Sequence, residues 1–463
     1  MPSFKAIPRA CISALPPETL YHIFRLVLVE DPCMNSRRVE QLARVCSSWR
    51  QVATGLPSPW AHINLHPADS SNNALTTRIE TYASRSGQLP LYIHFHGSEP
   101  PKFNPSNRPA TFVAPVATRI GTLDLDLNHC LAKFHENILK DCFNGCQPGV
   151  FTKVIVRRGC SEDEACKFIL PKGEFHVARH EAIVHLDILK QRFENILLNC
   201  TALHLDGVFF PWESNAYQGL VELRLTCPGQ RVAVPLSQFV AMLRSSPQLR
   251  ILDFRLYLEI DGPTIIPPKP VALSNLEKLI AGTEHDRTLL FFLPLFGSSP
   301  NLLEVSLIFP DDTAILYPLS GFSARVCTNF FSRSNAARVA GSRLRSYIEA
   351  ANLLNFVPNV QEFALNNCHN WVRFDQYIWE EHLVLAARLD VLYVVDSSMG
   401  GTDLLRLVRA LKAQKLVCWK YPPLSPDALL GPSGEDLYKE LLELCPVVKL
   451  LGGNEPNPIG SWL

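Results

Sequence analysis

Cysteine and histidine come closest to chemistry in this chain. Cys160, Cys166, His176 and His180 follow one another as C-x5-C-x9-H-x3-H, and histidines four apart share a face if their segment is helical. Thiolate and imidazole are zinc ligands, but the first two intervals miss the roughly two to four and roughly twelve intervening residues of a zinc finger. Cys142 and Cys146 add thiols without completing a ligand set. Core-filling cysteines and surface histidines are the expectation, with no metal and no cofactor. G-x-S-x-G, a phosphate-cradling glycine loop and H-E-x-x-H do not occur, so no catalytic residue is expected. A basic group, Arg333, Arg338, Arg343 and Arg345, lies in "RSNAARVAGSRLRSY". It reads as a solvated helix face, with an acidic partner or a phosphate as the alternative.

These residues sit in a chain of 463 residues, 47% hydrophobic, with 44 basic and 44 acidic side chains. The balance supplies no field toward nucleic acid or an anionic membrane, so neither is an expected partner. The length implies one small module plus one long one. The longest apolar run, Leu289 to Phe296, is broken by Pro294 and falls short of the roughly 20 residues of a membrane span. "MPSFKAIPRACISALPP" holds no apolar stretch of signal-peptide length. A cytoplasmic or nuclear location follows as the expectation, and the fourteen scattered cysteines then read as reduced thiols.

Helical periodicity marks the first module. Leu20, Ile23, Phe24, Val27 and Leu28 form one stripe, opened by Pro16, Pro17 and Glu18 at positions that suit a helix start. After "EDPCMNS" a second stripe, Val39, Leu42, Val45, Cys46, Trp49, Val52 and Ala53, predicts one further helix, supported by a Glu40–Arg44 pair and stopped near Gly55 and Pro57. Two short helices cannot enclose so much apolar surface, so part of it must be covered by something else.

"LPPETLYHIF", "LARVCSSWRQVA" and "PW" in that order resemble an F-box, through Leu15, Pro16, Glu18, Val45, Cys46, Trp49 and Trp60. The resemblance covers residues 15–60. It implies a helical module that docks on the Skp-family adaptor of a cullin-RING (SCF) ubiquitin ligase, with Leu15, Pro16, Leu20, Ile23, Phe24, Leu42, Val45 and Trp49 carrying much of the contact. The connection from Glu30 to Ser36 is longer than that family's usual one. For Trp60, a place in the module's own core is the favoured reading.

Farther along, the frame L-x-x-L-x-L starts at Leu220, Leu249, Leu276, Leu302, Val360 and Leu389, with near-equal spacing and one double interval that leaves room for a degenerate member. Alternating apolar positions predict short parallel strands, and "LSQFVAMLRSSP" predicts a helix between two of them. Pro247, Pro300 and Pro358 precede the frame and are expected to end such helices. The pattern resembles helix-containing leucine-rich repeats, with "IGTLDLDLNHC" and "FTKVIVRRG" as earlier strands. The expected architecture is α/β. A tail at 1–14 precedes the all-α F-box module at 15–60, then a linker with weak early repeats at 61–199, then a leucine-rich-repeat-like solenoid at 200–463. Strand positions between the buried leucines, Glu222, Arg224, Asp253, Arg255, Lys278, Glu304, Ser306, Glu362 and Tyr393, would face a target protein. The expected function is non-enzymatic: a receptor joining a target to a ligase through the adaptor. A scaffold that never recruits a cullin and a metal-dependent enzyme stay open as alternatives.

Overall fold

The computed structural model describes residues 15–29, 35–66, 72–96, 113–127, 131, 133–158, 166–174, 182–228, 232–260, 269–282, 291–309, 321–344, 346–357, 359–369, 389–424 and 432–462. Cys160, His176, His180, Arg345, Pro358 and the 1–14 tail lie outside them. The chain divides into two compact units, Met1–Ala216 and Tyr217–Leu463. It is a mixed α/β protein: a helical N-terminal region, then parallel sheet.

The first unit opens with helices α1 (Pro17–Val29), α2 (Asn35–Val45), α3 (Ser47–Thr54) and the short α4 (Pro57–Trp60). The single second helix expected from periodicity is two. Cys46 is extended (φ −157°, ψ 177°), and its Sγ accepts the Trp49 N–H at 3.5 Å, capping α3. The apolar period runs unbroken through this cap, so spacing alone does not reveal it. The expected Glu40–Arg44 pair is also replaced. Glu40 reaches helix α5 (Asn72–Arg85), 3.2 Å from Arg78 Nη2, and accepts a hydrogen bond from Tyr82 Oη at 2.5 Å.

Five strands follow in parallel sequence order: β1 (His62–Leu65), β2 (Leu91–His96), β3 (Ile120–Asp126), β4 (Lys153–Arg157) and β7 (Ala202–Asp206). β3 and β4 are the two early strands anticipated from sequence. Between β4 and β7, and just after β7, strands β5 (Lys167–Pro171), β6 (Ala182–Leu186) and β8 (Val208–Phe209) form a small separate sheet. Helices α6 (Lys133–Gly145) and α7 (Lys190–Leu197) carry Phe143 and Phe193 into one aromatic cluster with Phe210, each ring edge-on or tilted to the next.

The second unit repeats one device. β9 (Glu222–Thr226), β11 (Ile251–Arg255), β13 (Lys278–Gly282), β14 (Ser299–Ile308), β15 (Ser334–Ser342), β16 (Glu362–Asn366), β17 (Val391–Val395), β18 (Lys415–Trp419) and β19 (Val447–Leu451) each pair in parallel with the next. A short side pair, β10 (Ala233–Pro235) and β12 (Tyr257–Glu259), flanks helix α8 (Leu236–Ser245), which is the helix read in "LSQFVAMLRSSP". Pro247 lies just beyond α8, but Pro300 is inside β14 and ends no helix. Alternate strand residues, among them Leu223, Leu252, Leu279, Val305, Val339, Phe363, Leu392 and Leu416, are buried together. Phe239 of α8 meets Phe254 at 4.4 Å with its ring tilted, and Phe254 stacks on Phe292 at 5.5 Å, extending that core.

The residue after each of β15 to β18 has a left-handed backbone: Arg343 (φ 61°), Asn367 (53°), Asp396 (45°) and Lys420 (49°). For the first three, the N–H donates to the last carbonyl of the next strand, at 3.0, 3.0 and 2.9 Å. One turn geometry recurs beneath four different side chains. All ten described cysteines are free thiols, and every one but Cys46 is buried.

Candidate interaction surfaces

Two surfaces correspond to the residues singled out from sequence, one in each unit. On the helical module, Leu20, Phe24 and Leu28 turn inward from α1, and Phe24 meets Trp49 edge-on at 5.1 Å. Trp60 is 1% exposed, packed edge-on to Tyr82 at 4.9 Å, and its Nε1 donates to the Ala53 carbonyl at 2.9 Å. Its place is the module's own core. Leu20, Phe24 and Trp49 are therefore the inner layer of the module. Leu15, Ile23 and Leu42 are half-buried, and Pro16 and Val45 are exposed.

Of the exposed apolar residues on this module, sequence reasoning missed Tyr21 and Leu26. Leu26 is 73% exposed and Val45 56%, with Tyr21 and Val27 also open. The stripe argument assigns a helix one apolar face, and nothing in it separates a residue facing the module's interior from one facing a partner. Trp49 Nε1 is buried with no hydrogen-bond acceptor among the described residues. An unmet buried indole N–H costs about 1–3 kcal/mol.

In the second unit the strand register brings all nine sequence-selected residues onto one face of the sheet. Glu222, Lys278, Glu304 and Glu362 fall on one register line, joined by Arg338. Arg224, Asp253, Ser306 and Tyr393 fall on the line two residues on, and Arg255 two further. The helix face expected for the arginine group is corrected here. Residues 334–342 are a strand paired on both sides, which exposes Arg338 on this face while Ala336, Val339 and Ala340 are buried.

The charges on this face are paired across and along strands. Arg338 bridges Glu304 at 2.8 Å and Glu362 at 3.1 Å, and these bonds hold its guanidinium more firmly protonated. Arg255 grips Asp253 with two hydrogen bonds of 2.8 and 3.0 Å, and Arg224 lies 2.8 Å from Glu222. Tyr393 Oη donates to Glu362 at 3.0 Å, and burial, with that bond, pushes the phenol up to about 12. Lys278 is buried, which pulls its ammonium below the usual lysine range, and it donates to the Ser461 carbonyl at 2.5 Å. Residues 452–462, which follow β19, pack on this face through Ile459 and Trp462.

The first unit's sheet carries a polar face that sequence reasoning did not single out. Tyr92 and Arg157 both donate to Asp124 Oδ2, at 2.7 and 3.0 Å. Beside Asp124 in register, His94 is 1% exposed, lies 3.8 Å from the His96 ring, and has no hydrogen-bond partner at either ring nitrogen. Burial drives its pKa down to about 4. Its signal, "YIHFH", is an alternation visible only once the segment is known to be a strand. Among the described residues no group of three or more His, Cys, Asp or Glu side chains could hold a metal ion.

The helical module, with a cysteine-capped break, an inward Phe24–Trp49 pair and exposed apolar residues, now has a counterpart among known proteins. Residues 12–66 match the F-box-like family. F-box domains typically bind Skp-family proteins, and the exposed Tyr21, Leu26, Val27 and Val45 lie within the matched residues. A comparison of the whole chain with curated proteins finds no match. No helix among the described residues is long and apolar enough to cross a membrane.

Proposed function

We propose that this chain is a substrate-recognition subunit of an SCF-type ubiquitin ligase. Its F-box-like domain holds a Skp-family adaptor and, through it, a cullin-RING assembly, and its second unit receives a target protein. The match of residues 12–66 to the F-box-like family carries the reading. The exposed Leu26 and Val45 support it, since apolar area of this kind is ordinarily covered by a partner. The second unit reads as a leucine-rich-repeat-like solenoid: one strand per repeat, each paired in parallel to the next, with a polar strand face that residues 452–462 cover in part. The chain supplies positioning and no bond-making. Holding target and ubiquitin donor in one assembly raises their effective concentration. The working location on this reading is cytoplasmic or nuclear.

Co-purification tests it. The wild-type chain co-expressed with a Skp-family adaptor should elute as a complex and carry a cullin from lysate. Leu26→Glu with Val45→Glu should weaken adaptor binding by about tenfold or more, because each change puts a charge into an apolar contact. The melting temperature should barely move, since both side chains are solvent-facing in the free chain. Absence of adaptor binding by wild type refutes the proposal. Adaptor without cullin transfers the conclusion to a scaffold outside any ligase.

A further inference from the structure

Residues 452–462 sit in a slot that the strands form by themselves. Its floor is Ala340 and Ala364, adjacent in register and too small to fill the space above them. Its walls are Tyr393, edge-on to the Trp462 ring at 5.1 Å and 76°, and Arg338, 5.7 Å from the centre of that ring. Both walls are fixed by one strand carboxylate, since Glu362 accepts from Arg338 and from Tyr393. The slot therefore owes its shape to contacts among strand residues, not to the segment lying in it.

The segment's own bonding is that of a guest. Its backbone N–H groups are spent on itself: Glu455 to the Gly452 carbonyl, Gly460 to Asn457 and Trp462 to Ile459, at 3.1, 3.1 and 2.8 Å. The sheet meets its main chain through two side-chain donors, Trp419 Nε1 to the Glu455 carbonyl at 2.9 Å and Lys278 Nζ to the Ser461 carbonyl. Carbonyl contacts are indifferent to sequence, while Ile459 and Trp462, both buried, are the specific anchors. Hydrogen bonds to main-chain carbonyls combined with side-chain pockets are the physics of peptide recognition.

We propose that this slot is a recognition site for peptide segments carrying an aliphatic residue three positions before a tryptophan, and that residues 452–462 occupy it in cis until a target segment of that chemistry displaces them. The target as occupant rests on the receptor reading above; the slot does not. Tethering gives the internal segment a high effective concentration, so free competitors bind weakly while it is in place.

The test uses the full chain with a protease site placed between Gly452 and Gly453, cut after folding, and a fluorescein-labelled peptide of residues 452–462 as probe. After cutting and dialysis the segment should leave, and the probe should bind saturably, at least tenfold tighter than to uncut chain. A probe with alanine for the tryptophan should bind at least tenfold more weakly, and Glu362→Gln, which loosens both walls, should weaken binding of the intact probe. Uncut Trp462→Ala should admit the probe better than wild type. A cut segment that stays through dialysis and never exchanges would make it permanent core and overturn the proposal. Should cutting unfold the second unit, the uncut Trp462→Ala chain decides: if it excludes the probe as wild type does, the proposal fails. If the probe binds as expected but the Trp462→Ala chain captures no protein whose recovery the probe peptide blocks, the slot stands and the receptor reading falls.

Discussion

At His94 the sheet of the first unit holds an imidazole where water cannot reach it. Burial disfavours its charged form, and His96 and Arg157 act the same way; together they outweigh Asp124 and Asp126 and set the pKa near 4 against the usual 6.5. The folded chain keeps the ring neutral between those values, whereas the unfolded chain takes up a proton. The unfolded state then binds more protons, so stability is complete above about 6.5 and drains away as pH falls toward 4. A shift of that size corresponds to at most about 3 kcal/mol. His135, buried and likewise lowered to about 4, acts in the same direction. Thermal melts at pH 7 and pH 4.5 should show His94→Gln losing less stability on acidification than wild type; equal losses would locate the acid sensitivity elsewhere.

Among elements, the strands show which features reach the surface of a sequence. β9, β11, β13, β14, β16 and β17 were legible because leucine-like residues alternate with polar ones inside a repeating frame. β15 fills the double interval left for a degenerate member, but its residues did not show it: Arg338 suggests a helix face, and only neighbours on both sides make it a strand. β1, β2, β7, β18 and β19 fall outside the frame, and the break at Cys46 hides behind an unbroken apolar period. The polar strand face was legible to the residue, because a period of two fixes which side chains share a side. Its cover was not, since nothing local ties Trp462 to Arg338. The recurring strand-end turn is equally silent in sequence and makes its own prediction. Asp396, at φ 45°, occupies a backbone region costly for side chains branched at Cβ. Asp396→Gly should be neutral or slightly stabilising, while Asp396→Val should cost about 1–2 kcal/mol. Denaturant melts of both variants measure this, and a harmless valine would dismiss the strain.

Over the whole molecule, stability in the second unit is shared between neighbours along the strand order. Leu392 in β17 is fully buried, and its truncation to alanine should cost about 2–5 kcal/mol. Hydrogen exchange should then quicken in β16 and β18 as well as in β17, since each strand's backbone partners lie in the next. Acceleration confined to β17 would argue for independent strands. The thiols offer a way to watch this. Burial pushes Cys200 and Cys368 up to about 12 and Cys327 to about 11, and raises Cys418 and Cys445 too. A thiol reacts as its thiolate, so each of these cysteines is chemically silent while its surroundings stay closed and becomes alkylatable when they open. The chain thus carries a set of built-in clocks, one for each neighbourhood. Pulsed alkylation with peptide mass mapping would time the opening of each neighbourhood without a single added label.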